Sequence, residues 1–108
     1  MPNGANREFV RYIACISGIR ATFNHWPTKV RLDLGFLKEL REVLTPEDYR
    51  KMSQTIILIP DGSNPWDGVF VAEDDEGNTY DLIQRGYGPS DIDVLGWLGI
   101  KRPDYGPH

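Results

Sequence analysis

In the stretch "IPDGSNPWDG", residues 59 to 68, Asp61, Ser63, Asn64 and Asp67 fall within a single turn-rich run. Their oxygens are hard donors of the kind calcium and magnesium take. The spacing argues against a metal loop. An EF-hand starting at Asp61 needs Gly at its sixth position and Glu at its twelfth, where this chain has Trp66 and Ala72. Asp, Gly, Ser, Asn and Pro are also the residues that turns use for backbone reasons. The stretch therefore reads as a structural loop. Asp61 and Asp67 are the only candidate metal ligands, and no metal or other cofactor is expected. "EDDEGN", residues 73 to 78, fails the same test and reads as a solvated hairpin tip, with Gly77 and Asn78 suited to positive φ.

Other chemistry is thinly provisioned. "RGYGPSD", residues 85 to 91, lies between a predicted strand and a predicted helix, as a phosphate loop would. Pro89 has no N–H to offer, however, and Asp91 and Asp93 place negative charge where a phosphate would sit, so a capped turn is expected. Of the two histidines, His108 is terminal and His25 reads as a partner for a helix carbonyl. Cys15, flanked by Ile13, Ala14 and Ile16, reads as a buried inert thiol. The enzymatic alternative is a small-ligand or divalent-cation-dependent site in which Asp61, Asp67 and His25 converge, and the balance of residues favours a non-enzyme.

What remains is binding. Trp26, Trp66, Tyr87 and Tyr105 fall in segments without periodicity, and exposed Trp and Tyr are favoured interface anchors, so a protein partner or a homodimer is expected at that surface. The chain has 108 residues, 40% of them hydrophobic and 26% charged, which suits one domain with loosely held ends at about 1–6 and 101–108. No apolar run reaches the roughly 18 residues of a membrane span. The start "MPNGANREF" carries no secretory signal and there is one cysteine, so a cytoplasmic location is expected.

The elements that must position these groups follow from spacing. Phe9, Tyr12, Ile13, Ile16, Ile19 and Phe23 recur at helical intervals over 7–23, although Gly18 and the β-branched residues leave a strand over 10–16 open. "NHWP" ends that element and "TKVRL" follows as a strand. Asp33 caps a helix over 34–44, and "TPED" opens another over 46–54 with Thr45 as cap and Pro46 in its first turn. "TIILI", residues 55 to 59, reads as a central strand buried on both faces. A hairpin over 68–84 and a short helix over 91–98, with Ser90 as cap and Gly99 as terminator, complete the chain. The fold expected is α+β, with helices on one face of a small, mostly antiparallel sheet in the order α-β-α-α-β-β-β-α.

Over residues 7 to 84 this order resembles the winged-helix family. The resemblance implies a helix-turn-helix from 34–44 and 46–54, the second as recognition helix, and "EDDEGN" as the wing tip. The charges oppose DNA: that helix opens with Glu47 and Asp48, and the wing tip is acidic. Residues 1–60 hold nine Lys and Arg against six Asp and Glu, net +3, and residues 61–108 hold three against ten, net −7. Attraction between the two parts within one fold accounts for this split, and specific nucleic-acid binding by Arg7, Arg11, Lys29, Arg31, Arg50 and Lys51 is not expected. The chain's general character resembles small bacterial accessory proteins, which assigns no residue a role.

Overall fold

In the computed structural model, residues 4–62 and 69–102 are described. The elements are helix α1 (Gly4–Phe23), strand β1 (Lys29–Asp33), helices α2 (Leu34–Val43) and α3 (Pro46–Thr55), strands β2 (Ile57–Asp61), β3 (Phe70–Glu73) and β4 (Thr79–Asp81), and short helices α4 (Leu82–Arg85) and α5 (Val94–Leu98). The architecture is α+β, built on a four-stranded mixed sheet in the order β2-β1-β3-β4. β1 pairs in parallel with β2 and antiparallel with β3, and β3 pairs antiparallel with β4.

Period-two alternation decides which face the helices cover. Val30, Leu32, Phe70, Ala72 and Tyr80 are buried, whereas Lys29, Arg31, Val71 and Glu73 on the opposite face retain exposure. Onto the buried face α1 brings Phe9, Tyr12, Cys15, Ile16 and Ile19, and α2 brings Phe36 and Leu40. Phe9, Tyr12, Phe36 and Phe70 form a chain of rings at centroid distances of 6.2, 5.8 and 5.6 Å, tilted or edge-on as their quadrupoles prefer. The Tyr12 hydroxyl, buried in that chain, donates to the Met52 sulfur at 3.3 Å, which ties α3 to α1.

The starts of α2 and α3 and the end of α5 were readable from their caps. Asp33 accepts from the Phe36 N–H at 3.0 Å and Thr45 from the Asp48 N–H at 3.1 Å, each satisfying an otherwise orphaned donor. Gly99, at φ 76°, terminates α5. Residues 10–16 are helical, and α1 ends where Asn24 turns to φ 60°, its N–H bonded to the Arg20 carbonyl at 2.9 Å.

Three expectations are corrected. "TIILI" is not central: β2 lies at the sheet edge, Ile57 is 61% exposed, and the strand runs on to Asp61. Ile57 donates to Thr28, so by parallel alternation Leu58 and Pro60 point their backbone groups away from the sheet. Pro60 thus sits where its missing N–H costs no ladder bond, as edge strands require. The last helix spans 94–98 and is capped by Asp93, not Ser90, because the Asp93 carboxylate takes the Gly96 N–H at 2.9 Å. In the hairpin only Gly77 has positive φ, at 86°; Asn78 does not, and residues 82–85 leave the sheet as α4, capped by Asp81.

One close approach locks the layers together. A Cβ on Gly18 would collide with the ring of Tyr80, and a Cβ on Gly88 would collide with the Gly18 backbone. The Tyr80 hydroxyl donates to the Gly86 carbonyl at 2.7 Å, and the Gly88 N–H donates to the Ala14 carbonyl at 3.2 Å. The segment 86–93 is thereby strapped across α1.

Gly18→Ala is expected to destabilise the fold. The usual helical gain of about 0.5–1 kcal/mol is outweighed by an overpacking cost of about 1–3 kcal/mol. Urea unfolding with an unchanged m-value and a lower midpoint is the expected result. Pro60→Thr restores an outward N–H at the edge, and light scattering should then show concentration-dependent self-association beyond that of the unaltered protein.

Candidate functional site

The strap and α1 enclose a cleft of about 510 Å³, within the range of about 300–1,000 Å³ typical of ligand sites. Its apolar walls are Val10, Ile13 and Ala14 on one side and Ile92 and Leu95 on the other. Tyr87 stands at its edge, 57% exposed, with its hydroxyl accepting from the Arg11 Nε at 3.3 Å. Gly88, after Tyr87, lets the strap lie against the Gly18 backbone, and Gly86, before it, supplies a turn at φ 85°. Tyr87 is therefore an aromatic surface held in place at both its backbone and its hydroxyl.

Trp26 is half-buried and stacks on Trp97 of α5 at 4.4 Å and 8°, with the Arg20 guanidinium 5.2 Å from the Trp26 ring. Trp26 is thus tied to a partner within the fold. Sequence reading missed Trp97. Its place three residues after Val94, in a segment bounded by Asp93 and Gly99, was the available signal. Trp66, Tyr105, Asp67 and His108 lie outside the described residues.

The enzymatic alternative lacks convergence between the two members that are described. His25 precedes β1, and its Nε2 lies 3.4 Å from the Glu76 Oε1 in the hairpin turn, so its partner is a carboxylate, not the helix carbonyl expected. Asp61 lies at the far end of the sheet, level with Asp33, and pairs with Arg31 at 3.4 Å. β1 alone separates those ends by about 13 Å at roughly 3.3 Å per residue. Among the described residues, no three His, Cys, Asp or Glu side chains group to hold a metal ion. Burial, reinforced by Asp33 and then Glu42, raises the Glu39 carboxyl above its usual range.

Cys15 is fully buried, and its thiol lies 3.3 Å from the Phe70 carbonyl and 3.5 Å from that of Tyr80. Burial pushes the thiol up to about 12, against the lowering effect of a backbone hydrogen bond from Ala72. A group that holds its proton so firmly is no nucleophile at neutral pH.

In the hairpin turn, Asp74 is 2% exposed, a burial that the acidic composition of "EDDEGN" did not suggest. Its Oδ1 accepts from the backbone N–H groups of Glu76 at 3.0 Å and Asn78 at 2.9 Å, and its Oδ2 accepts from the Asn78 side chain at 3.0 Å. Burial works to raise the carboxyl, but the Asn78 and Glu76 bonds prevail and hold it below the ordinary carboxylate range. Asp74 is thus the internal brace of the turn.

The two oppositely charged parts of the chain meet. His25 with Glu76, Lys29 with Glu73 at 3.5 Å, and Arg31 with Asp61 each join the basic part to the acidic part. Lys51 pairs with Glu47 at 3.4 Å, one turn back on α3. No helix among the described residues is long and apolar enough to cross a membrane. Comparison with protein-family models, curated proteins and solved structures finds no match, so the function rests on this site.

Because Asp74 is held ionised in the folded state, its contribution to stability is present above its ordinary value of 3.8 and is lost as pH falls toward its lower folded value. Asp74→Asn should be less stable at neutral pH. Its stability should fall less steeply with acid, so that denaturant midpoints of the two proteins converge at low pH.

Proposed function

We propose that this chain is a small non-enzymatic, cytoplasmic binding protein that engages a protein partner, or a second copy of itself, through the surface centred on Tyr87. The observation that carries the reading is Tyr87 itself, an exposed ring fixed by Arg11 and by the strap at the edge of an apolar cleft. A rigid aromatic anchor loses little conformational entropy on binding. The separation of His25 from Asp61 and the inert state of Cys15 weigh on the same side. The ion pairs that occupy Lys29 and Arg31 leave those two bases committed within the fold, which favours a protein partner over a polyanion.

A photo-crosslinking residue at position 87, with one at exposed Arg50 as control, tests this in cell extract and with purified protein. A discrete adduct at 87, absent at 50, is expected. Excess unaltered protein should compete it away and Tyr87→Ala should not, while that variant keeps its stability to within about 0.5 kcal/mol. An adduct of twice the chain mass identifies self-association. Identical adducts at both positions, or none, would refute the reading.

A further inference from the structure

We propose that the cleft between α1 and the strap binds a small, neutral, predominantly apolar molecule, an inference independent of the protein-partner reading. At about 510 Å³ the cleft has the volume of a small-molecule site, and its facing walls, Val10 and Ile13 against Ile92 and Leu95, offer aliphatic surface. The polar groups deep in it are already satisfied. Ser17, 1% exposed, directs its hydroxyl to the Ala14 carbonyl at 3.1 Å, and the Gly88 N–H bonds the same carbonyl. A ligand that brings apolar surface therefore breaks no hydrogen bond on entry.

Charge at the cleft selects against ions. Asp91 and Asp93 line it with Arg102, so an anion meets two carboxylates and a cation meets a guanidinium. One oxygen of Asp93 also accepts the Gly96 N–H. An ion of either sign would lose hydration without gaining a site built for it, and a neutral molecule avoids that cost.

Probes with one aromatic body separate size from charge: indole, tryptamine, indole-3-acetate and, as the neutral probe of matched size, indole-3-acetamide, which should bind more like indole than like either ion. In an amide-resolved NMR titration of the unaltered full chain, indole should give saturable shifts concentrated at Val10, Ile13, Gly88, Ile92 and Leu95. The cation and the anion should each bind about tenfold more weakly or worse, the factor that roughly 1.4 kcal/mol of uncompensated desolvation produces. Val10→Phe, a larger side chain on the cleft wall, should weaken indole binding while the remaining amide spectrum stays that of the folded protein. Non-saturable or scattered shifts with indole, or equal binding of all four probes, would overturn the proposal. An adduct at position 87 that persists without indole binding would leave the partner reading standing alone.

Discussion

The contact on which the rest of the molecule depends is the approach of the Tyr80 ring to the backbone of Gly18. β4 can lie against α1 only because Gly18 has no side chain, and the same bare backbone receives Gly88. Tyr80 then reaches past the helix to hold the Gly86 carbonyl. One tyrosine and three glycines thus fix the angle between helix and sheet, the path of the strap, the existence of the cleft and the placement of Tyr87. A helical glycine normally weakens its helix. Here the local cost is repaid by packing that no larger residue permits.

Much of this could be read from the sequence wherever one residue acts on its own neighbours. Asp33, Thr45 with Pro46, and Gly99 announced the ends of helices because capping is a local event, completed within three or four residues. The buried thiol of Cys15 was legible from its apolar neighbours. Where the deciding partner is remote, local reading failed. Gly18 counted against a helix because Tyr80, its reason for being there, lies 62 residues away. Not every miss was remote: Asp74 looked like one solvated acid among several, although its partners Glu76 and Asn78 lie only two and four residues on. The apolar run at β2 looked central. Pro60 in the same strand was the contrary signal, since a proline is tolerated at an edge and not between two neighbours.

The divided charge shows how composition becomes architecture. The basic residues of β1 and of the connection before it meet acids from β2, β3 and the hairpin turn, so the sign of each part is answered by the other. Exposed pairs of this kind each contribute about 0–1 kcal/mol, too little to hold the fold together. They do favour one arrangement of strands over others with similar apolar burial. A sequence that appears to offer a basic patch to a polyanion has instead used several of those bases in its own assembly.

The position of β1 also shapes how the chain must find its structure. The central strand has no neighbour close in sequence: Asp33 lies level with Asp61, 28 residues on, and Leu32 with Phe70, 38 residues on. Only the β3–β4 hairpin closes locally. In simple loop-closure terms the two long closures differ by only about 0.3 kcal/mol, so entropy hardly ranks one before the other. The choice falls to what lies between them: α2 and α3 fill the interval between β1 and β2 and shorten the distance that the chain must search. The hairpin, by contrast, can form early and wait, presenting β3 as the template on which a late-arriving centre is laid.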